Sequence, residues 1–305
     1  MIGKSNTTNN AVTRGESIMF FYNQFKTVLL LGAMSGLFLF MGNLLGGSSG
    51  LLLAAIMAII MNFFAYFYSD TIVLRMYKAQ PLDRKKYASI YEMVHELAGE
   101  MHIPMPKLWL IENKMANAFA TGRNPEHASV AVTTGILELL DKKELRGVLA
   151  HELSHVKNRD ILVATIAAVL ATAIGYVATM FRYSAMTPSN DDRRRNPLVM
   201  LLISIFVPIA ASLIQLAISR SREFLADEAG AECCKDPLAL ASALEKLHNH
   251  IPYASLNKTD VDKASTAPLF IVHPFAGSGW TALFSTHPPV AERIARLRAM
   301  YNQKK

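Results

Sequence analysis

Four long uncharged apolar runs constrain the fold of this chain more than any other feature of its sequence. Each run is about 18–21 residues long, which is enough for a helix to cross ~30 Å of hydrocarbon. The mean hydropathy of +0.23 is also high for a soluble protein. The sequence therefore predicts a membrane-anchored protein with up to four transmembrane helices. The runs are Thr27–Leu45, Leu51–Tyr68, Ile161–Phe181 and Leu198–Ile218.

The first two runs are predicted to form a transmembrane hairpin over residues 27–68, after an N-terminal tail of residues 1–26. The glycine- and serine-rich segment 46–50 would be its turn. The first run is too long for the apolar core of a signal peptide. Basic residues flank the hairpin but not its turn, which places both ends in the cytoplasm. They are Lys4, Arg14 and Lys26 before the hairpin and Arg75, Lys78, Arg84, Lys85 and Lys86 after it.

The basic charge of the chain does not indicate a nucleic-acid partner. A net charge of +7 and a pI near 9.3 are compatible with nucleic-acid binding. The basic residues, however, cluster at the ends of the membrane hairpin, and the sequence has no RNA- or DNA-binding motif. We expect them to orient the protein and to contact anionic lipid headgroups, so the lipid bilayer is the predicted partner.

The last two runs are predicted to form a second membrane hairpin, residues 161–218, whose topology the charges leave open. The connecting loop holds four basic residues, and four more flank the ends of the hairpin, so the positive-inside count is a tie. The hairpin could cross the membrane twice, or it could be tilted, re-entrant or packed laterally. The segments on either side, 75–160 and 219–305, are predicted to be two parts of one catalytic domain.

Helical and strand patterns alternate outside the apolar runs. They predict an α+β fold, mainly helical, with a small antiparallel sheet. A loop rich in Gly, Pro, Ser and Asp, Ile251–Trp280, is predicted to lie over one face of the site. The predicted elements are a helix over Lys85–His102, strands over Lys107–Glu112, Asn117–Thr121 and Ser129–Thr133, a helix from about Lys142, a helix continuing through Ala231, and a helix from Asp236 to about His250.

A His-Glu-x-x-His motif, typical of zinc hydrolases, lies on one of these helices. His151 and His155 are four residues apart, so both imidazoles can reach one metal ion. Glu152 lies about 100° round the helix from the first histidine, where its carboxylate can take a proton from a water at the metal. Asp141 and Glu144 are predicted to form a capping box at the start of the helix. The alternative is a surface helix with two incidental histidines.

The third metal ligand is predicted to be Glu223. Catalytic zinc usually has three protein ligands and an open position for water. Asp227 lies four residues later on the same helical face, where it can accept a hydrogen bond from the free ring nitrogen of a ligand histidine. The alternative is that both are surface acids paired with Arg222 or Arg220. The predicted cofactor is one Zn²⁺ per chain.

The two cysteines are predicted to be buried free thiols. Cys233 and Cys234 are adjacent, and neighbouring residues of a helix point too far apart for an ordinary disulfide. The sequence has no Cys-x-x-Cys pair that would indicate a thiolate zinc site or a redox motif. Free thiols agree with a catalytic portion in the reducing cytoplasm.

These motifs together resemble those of the HtpX-type integral-membrane zinc endopeptidases, relatives of the CAAX prenyl endoprotease. The resemblance extends over nearly the whole chain. Its motifs are the N-terminal hairpin, Asn117–Ala120, Val132–Leu137, His151–His155, Ser221–Asp227 and Phe284–Pro289. The resemblance implies a gluzincin-like zinc-protease domain in which His151, His155 and Glu223 bind zinc and Glu152 is the general base.

The resemblance also implies a setting and a role. The setting is the bacterial inner membrane, with a multi-pass chain and a cytoplasmic catalytic domain. The role is protein quality control under stress, by cleavage of misfolded or unstructured segments of membrane and cytosolic proteins. Substrates should be locally unfolded already, because the chain has no Gly-x-x-x-x-Gly-Lys motif for ATP-driven unfolding.

Two further site predictions rest on weaker patterns. His287 is a candidate electrophile for the tetrahedral oxyanion, with a structural interaction at a helix start as the alternative. Asn117, Ala118, Phe119 and Ala120 are predicted to form an exposed edge strand that pairs with an extended substrate. The alternative is that this strand only completes the sheet.

Other functions are less compatible with the sequence. A CAAX-type prenyl-protein endopeptidase shares the zinc motif but has more membrane spans. A transporter or channel would need polar groups in the membrane, and the apolar runs contain no Asp, Glu, Lys, Arg or His. A non-catalytic scaffold would not need an intact set of metal ligands and a general base. The oligomeric state is left open.

Overall fold

The computed structural model describes residues 5–170, 220–250 and 288–303 of the chain. Three predictions therefore lie outside the described residues: the fourth apolar run, the loop Ile251–Trp280 and the candidate electrophile His287. Of the third run, the described part is the helix Ile161–Leu170.

The described part of the chain is mainly helical, with one small sheet. Its helices are α1 (Ser5–Phe67), α2 (Ser69–Met76), α3 (Ala88–Met101), α4 (Thr134–Leu139), α5 (Lys142–Lys157), α6 (Ile161–Leu170), α7 (Arg220–Cys234), α8 (Pro237–Asn249) and α9 (Val290–Gln303). Its strands are β1 (Gln80–Pro81), β2 (Lys107–Ile111), β3 (Ala118–Thr121) and β4 (Ser129–Thr133). Helices α3, α5, α7 and α8 and strands β2–β4 agree with the predicted elements within a few residues. Helices α2, α4 and α9 and strand β1 were not predicted.

The N-terminal hairpin is one long helical segment, α1, broken at Gly47. Gly47 has φ 55° and ψ −138°, a conformation that glycine adopts without the steric cost of a Cβ. The break lies in the predicted glycine–serine turn. The side-chain amide of Asn62 donates a hydrogen bond to Ser35 Oγ at 2.7 Å and so joins the two arms. The candidate membrane spans are Phe21–Phe40 and Gly46–Phe67.

The apolar side chains of this hairpin face outward. Only 22% of the most apolar window of the first span and 17% of that of the second is buried. A soluble protein rarely exposes such an extended apolar surface, so the hairpin is suited to lipid. Helix α6 packs against the two arms through Leu162, Val163, Ile166, Ala167 and Leu170. The described part of the third run therefore lies beside the first hairpin.

The sheet is mixed, and the prediction of an antiparallel sheet is wrong. The strand order is β1-β2-β4-β3. β1 pairs antiparallel with β2, and β3 pairs antiparallel with β4, but β2 and β4 are parallel. The chain reverses direction once between β2 and β3 and again between β3 and β4, so β4 returns to the direction of β2. β4 lies between β2 and β3, and all five of its residues are buried.

Helix α5 lies at the centre of the described residues that follow the hairpin. It packs against α7, α8, α3 and β3, and Leu149 and Leu153 are fully buried in the main core. Helix α7 approaches α5 closely at Gly230, where an added Cβ would lie 2.9 Å from the backbone nitrogen of His151. The absence of a side chain at Gly230 therefore lets α7 lie directly against α5 at His151.

Candidate metal centre

The predicted capping box at the start of α5 is present. The Asp141 carboxylate accepts hydrogen bonds from the backbone N–H groups of Lys143 and Glu144, and Glu144 accepts one from the Asp141 N–H. The Glu144 carboxylate also accepts from Lys246 Nζ at 2.7 Å and Ser242 Oγ at 2.6 Å on α8. Burial tends to raise the pKa of Glu144, but these bonds hold that pKa below its usual value. The ionised Glu144 thus ties the motif helix to α8.

We expect Glu144→Gln to lower the stability of the purified protein near neutral pH by about 1 kcal/mol, because the charged acceptor for Lys246 is lost. A carboxylate with a lowered pKa contributes stability above its unfolded-state pKa and loses it as the pH falls. The difference from wild type should therefore shrink below about pH 4.5. Thermal unfolding in detergent measures it. Glu138→Gln, at an exposed position of α4, is the control, and an equal effect of both variants would contradict the prediction.

Three side chains converge on one point between α5 and α7. His151 Nε2 lies 3.2 Å from His155 Nε2 and 3.8 Å from Glu223 Oε2, and His155 Nε2 lies 3.6 Å from Glu223 Oε1. Ligand atoms about 2.05 Å from a tetrahedral zinc ion are roughly 3.4 Å apart. The observed spacing and the donor set of two imidazoles and a carboxylate therefore fit a metal ion of this kind.

The ring nitrogens on the far side of both histidines face carboxylates. His151 Nδ1 lies 2.9 Å from Asp227 Oδ1, and His155 Nδ1 lies 3.1 Å from Asp160 Oδ2. When an Nδ1–H donates to a carboxylate, the Nε2 lone pair is left for a metal. Asp160 and Asp227 are thus placed where each can support one histidine from the side opposite the shared point.

The Glu152 carboxylate lies against the sheet, beside the three converging side chains. Its Oε2 accepts a hydrogen bond from the backbone N–H of Ala120 on β3 at 2.9 Å. Burial raises the pKa of Glu152, although His151 and His155 act in the opposite direction. A carboxylate with a raised pKa is a better proton acceptor at neutral pH than an ordinary glutamate.

Comparisons with known proteins show the family of the chain. Residues 84–301 match Peptidase family M48. The chain is 48% identical over 282 residues to the Protease HtpX homolog of Burkholderia thailandensis, with 92% of this chain and 97% of that protein covered. It is 50% identical over 284 residues to the Protease HtpX homolog of a Sulfurihydrogenibium species, with 91% and 96% covered. The crystal structure of S. mikatae Ste24p is similar at a TM-score of 0.48 and 16% identity, with 92% and 67% covered.

The M48 match extends over more than half of the chain and contains the whole candidate metal centre. The chain belongs to peptidase family M48. It is a membrane metallopeptidase, and its substrates are proteins. The predicted resemblance to HtpX-type proteases is confirmed by the two HtpX homologs. M48 peptidases are metal-dependent, and His151, His155 and Glu223 are the group of described residues that could hold the ion.

The alternative readings of the M48 motif residues do not agree with their burial. His151, Glu223 and Asp227 are 1%, 5% and 3% exposed. His151 is therefore not a surface histidine, and Glu223 and Asp227 are not surface acids. Asp227 is paired with Arg293 of α9 rather than with Arg220 or Arg222.

Sequence reasoning missed Asp160 in this M48 site. Helix α5 ends at Lys157, and Arg159 has a φ of 57°, so the chain turns back towards the helix. The Asp160 backbone N–H donates to the His155 carbonyl oxygen, and its side chain reaches the ring of the same histidine. Burial alone would lower the pKa of His155, but Asp160 and the nearby glutamates raise it to about 10. The sequence feature that could have indicated Asp160 was an acidic residue directly after the helix with the His-Glu-x-x-His motif.

Sequence reasoning also missed Arg293. Its side chain is 1% exposed, in a helix that was not predicted. The available signal was its position on the apolar face of α9, between Val290 and Leu297, since a cation on a buried helix face needs a buried partner. Asp227 is that partner, 66 residues earlier in the chain.

Strand β3 lies at the sheet edge next to the candidate metal centre. Asn117, Ala118, Phe119 and Ala120 were predicted to be exposed, but all four are buried, so the prediction of exposure is wrong. Helix α5 packs against β3 and covers it. Since the Ala120 N–H points away from β4, the Ala118 backbone groups point the same way by the alternation of an antiparallel pair. This is the edge closest to Glu152.

The two cysteines contact Glu100 and Arg146, which are not residues of the candidate metal centre. Cys233 and Cys234 are free, as predicted, but they are half-buried rather than buried. Burial raises the pKa of Cys233 to about 12 and that of Cys234 to about 11. Both thiols are therefore protonated and unreactive at neutral pH.

Proposed function

We propose that this M48 peptidase is a zinc endopeptidase with a gluzincin-like centre, in which His151, His155 and Glu223 bind one Zn²⁺ and Glu152 is the general base. The observation that supports this most strongly is the convergence of the three ligand atoms, 3.2–3.8 Å apart, beside the Glu152 carboxylate. Two buried carboxylates behind the histidines complete the arrangement that catalytic zinc sites require.

The proposed mechanism assigns one task to each group. A bound zinc ion supplies Lewis acidity that activates water and polarises the scissile carbonyl. Glu152 accepts the proton of the attacking water and delivers it to the leaving amine. Its hydrogen bond to the Ala120 N–H fixes the carboxylate beside the ligands. We assign His287, directly before Pro288, the task of stabilising the oxyanion.

Substrates are proposed to bind as extended segments along β3. The outward-facing backbone groups of Ala118 lie in the strand that ends beside Glu152, and a main chain can pair with them whatever its side chains are. Asn117 and Phe119 would support substrate binding indirectly, by holding β3 in its extended conformation. This mode suits cleavage of misfolded or unstructured segments of membrane and cytosolic proteins, as in quality control under stress.

The deciding experiment compares the detergent-purified chain with its Glu152→Gln variant by metal analysis and casein cleavage. Zinc in both proteins and cleavage by only the wild type would support the proposal. A wild-type chain that cleaves casein without zinc, or that holds no zinc after purification in zinc-containing buffer, would contradict it.

The proposed setting is the bacterial inner membrane, with both parts of the catalytic domain (75–160 and 219–305) on the cytoplasmic side. The first hairpin (27–68) and the second (161–218) would give up to four spans. Two observations support this: the basic residues flank the first hairpin asymmetrically, and α6 packs beside it. Residues 1–26 would precede the first hairpin on the cytoplasmic side.

We expect cysteines introduced at Ser89 and Gln303 to be inaccessible to a membrane-impermeant maleimide in spheroplasts and to react after permeabilisation. Both positions are exposed, on α3 and at the end of α9, so only the membrane should protect them. The cysteines are introduced into a variant in which Cys233 and Cys234 are replaced by Ala, so that only the introduced thiol can be labelled. A cysteine at Ser48, in the turn of the first hairpin, is the control and should react from outside. Labelling of either catalytic-domain position in spheroplasts would contradict the topology.

A further inference from the structure

Arg293 is a charged side chain that lies wholly inside the protein. It is 1% exposed and comes from α9, near the C-terminal end of the chain. Its Nε and Nη2 atoms each donate to one oxygen of the Asp227 carboxylate at 2.7 Å, and its Nη1 lies 3.6 Å from Glu223 Oε2. A buried guanidinium is costly unless such partners compensate it. The burial of the Arg293 guanidinium is therefore compensated by the carboxylates of Asp227 and Glu223 on α7.

Through these contacts, Arg293 connects α9 to the metal centre. Asp227 Oδ1 faces both Arg293 Nη2, at 2.7 Å, and His151 Nδ1, at 2.9 Å. The guanidinium fork holds both oxygens of the carboxylate and so fixes its plane. The carboxylate held in this plane faces the His151 imidazole on the side opposite Nε2.

We propose that Arg293 is a positioning residue of the metal centre, which holds Asp227 in the orientation that directs His151 to the metal and makes α9 a necessary part of the site. This inference rests on the proposed function, since it assumes that His151 is a metal ligand. Arg293 is not a catalytic residue, because its guanidinium is buried and both ends of its fork are held by Asp227.

The positioning of Asp227 requires the two N–H donors of the Arg293 guanidinium and not only its positive charge. A lysine at position 293 would bring a positive charge but only a compact ammonium group, which cannot hold two carboxylate oxygens in one plane. The docking of α9 has other support, because Leu297 is fully buried in the main core and Val290 and Ile294 pack against that core. Replacement of Arg293 should therefore disturb Asp227 more than it disturbs the fold.

The test uses the full chain in detergent and measures zinc affinity by competition with a chelator. We expect Arg293→Met to bind zinc about tenfold more weakly and Arg293→Lys to be intermediate, because outer-shell partners orient the ligands. Arg298→Met is the matched control, because Arg298 is on the same helix but forms an exposed ion pair with Glu245. The zinc affinity of this variant should equal that of wild type. The Co²⁺-loaded Arg293 variants should also show altered d–d bands, which report ligand geometry.

A double-variant cycle shows whether the effect passes through Asp227. In an Asp227→Asn background, the additional Arg293→Met change should alter zinc affinity by less than about twofold, because residues that act as a unit are not additive. An undiminished loss in that background would overturn the proposal. So would wild-type affinity and wild-type cobalt bands in both Arg293→Lys and Arg293→Met. Failure of the wild-type chain to bind zinc would instead contradict the proposed function.

Discussion

Glu152→Gln should keep the metal and lose nearly all peptide hydrolysis. Glutamine has the same size, and its amide oxygen can still accept the hydrogen bond from the Ala120 N–H that Glu152 accepts now. It cannot accept the proton of the attacking water. We expect cleavage to fall by about 10²–10⁴-fold, the contribution of a positioned general base, which corresponds to several kcal/mol in the activation barrier.

The measurement is casein cleavage by detergent-purified protein, with the zinc content of each sample determined in parallel. Glu96→Gln is the matched control, because Glu96 follows a histidine in the same way but is exposed and forms an ion pair with Arg146 on the surface. It should retain wild-type activity and zinc. If Glu152→Gln cleaved casein at the wild-type rate with its zinc bound, another residue would have to be the base.

Glu223→Ala and Asp227→Ala should have different effects although both residues lie on the same face of α7. Glu223 faces the Nε2 atoms of both histidines, so its removal leaves two ligands and solvent. We expect Glu223→Ala to release most of the zinc and to abolish activity. Asp227 contacts the far side of His151, so Asp227→Ala or Asp227→Asn should weaken zinc affinity or activity by about 10–100-fold.

Zinc titration in the presence of a competing chelator separates the two roles. Glu228→Ala is the control, because Glu228 lies on the same helix but is exposed. Far-ultraviolet circular dichroism of each variant checks that α7 is still folded. Zinc loss from Asp227→Ala as complete as from Glu223→Ala, or retention of zinc by Glu223→Ala, would contradict the assignment of ligand and supporting residue.

Local sequence patterns predicted the elements that carry the metal ligands. Helix α5 begins at Lys142 because Asp141 and Glu144 form a capping box, an interaction within one helical turn. The spacing of His151 and His155 places both imidazoles on one face for the same local reason. The membrane hairpin also followed from a local property, the length of uninterrupted apolar runs.

Non-local packing decided what local patterns could not. The mixed sheet depends on which neighbour β4 pairs with, and periodicity within a strand does not specify its partner. The burial of Asn117–Ala120 results from the packing of α5 against β3. A strand pattern alone therefore could not show that these four residues are buried.

The sequence by itself determined the membrane hairpin, the motif helix and the residues that can bind a metal, because each depends on geometry within a few neighbouring residues. Only the tertiary structure decided which groups support them. The hydrogen bond from Ala120 to Glu152 joins residues 32 apart, and the fork of Arg293 on Asp227 joins residues 66 apart. Such pairs form because the folded core brings distant segments together and a buried charge must find a partner there.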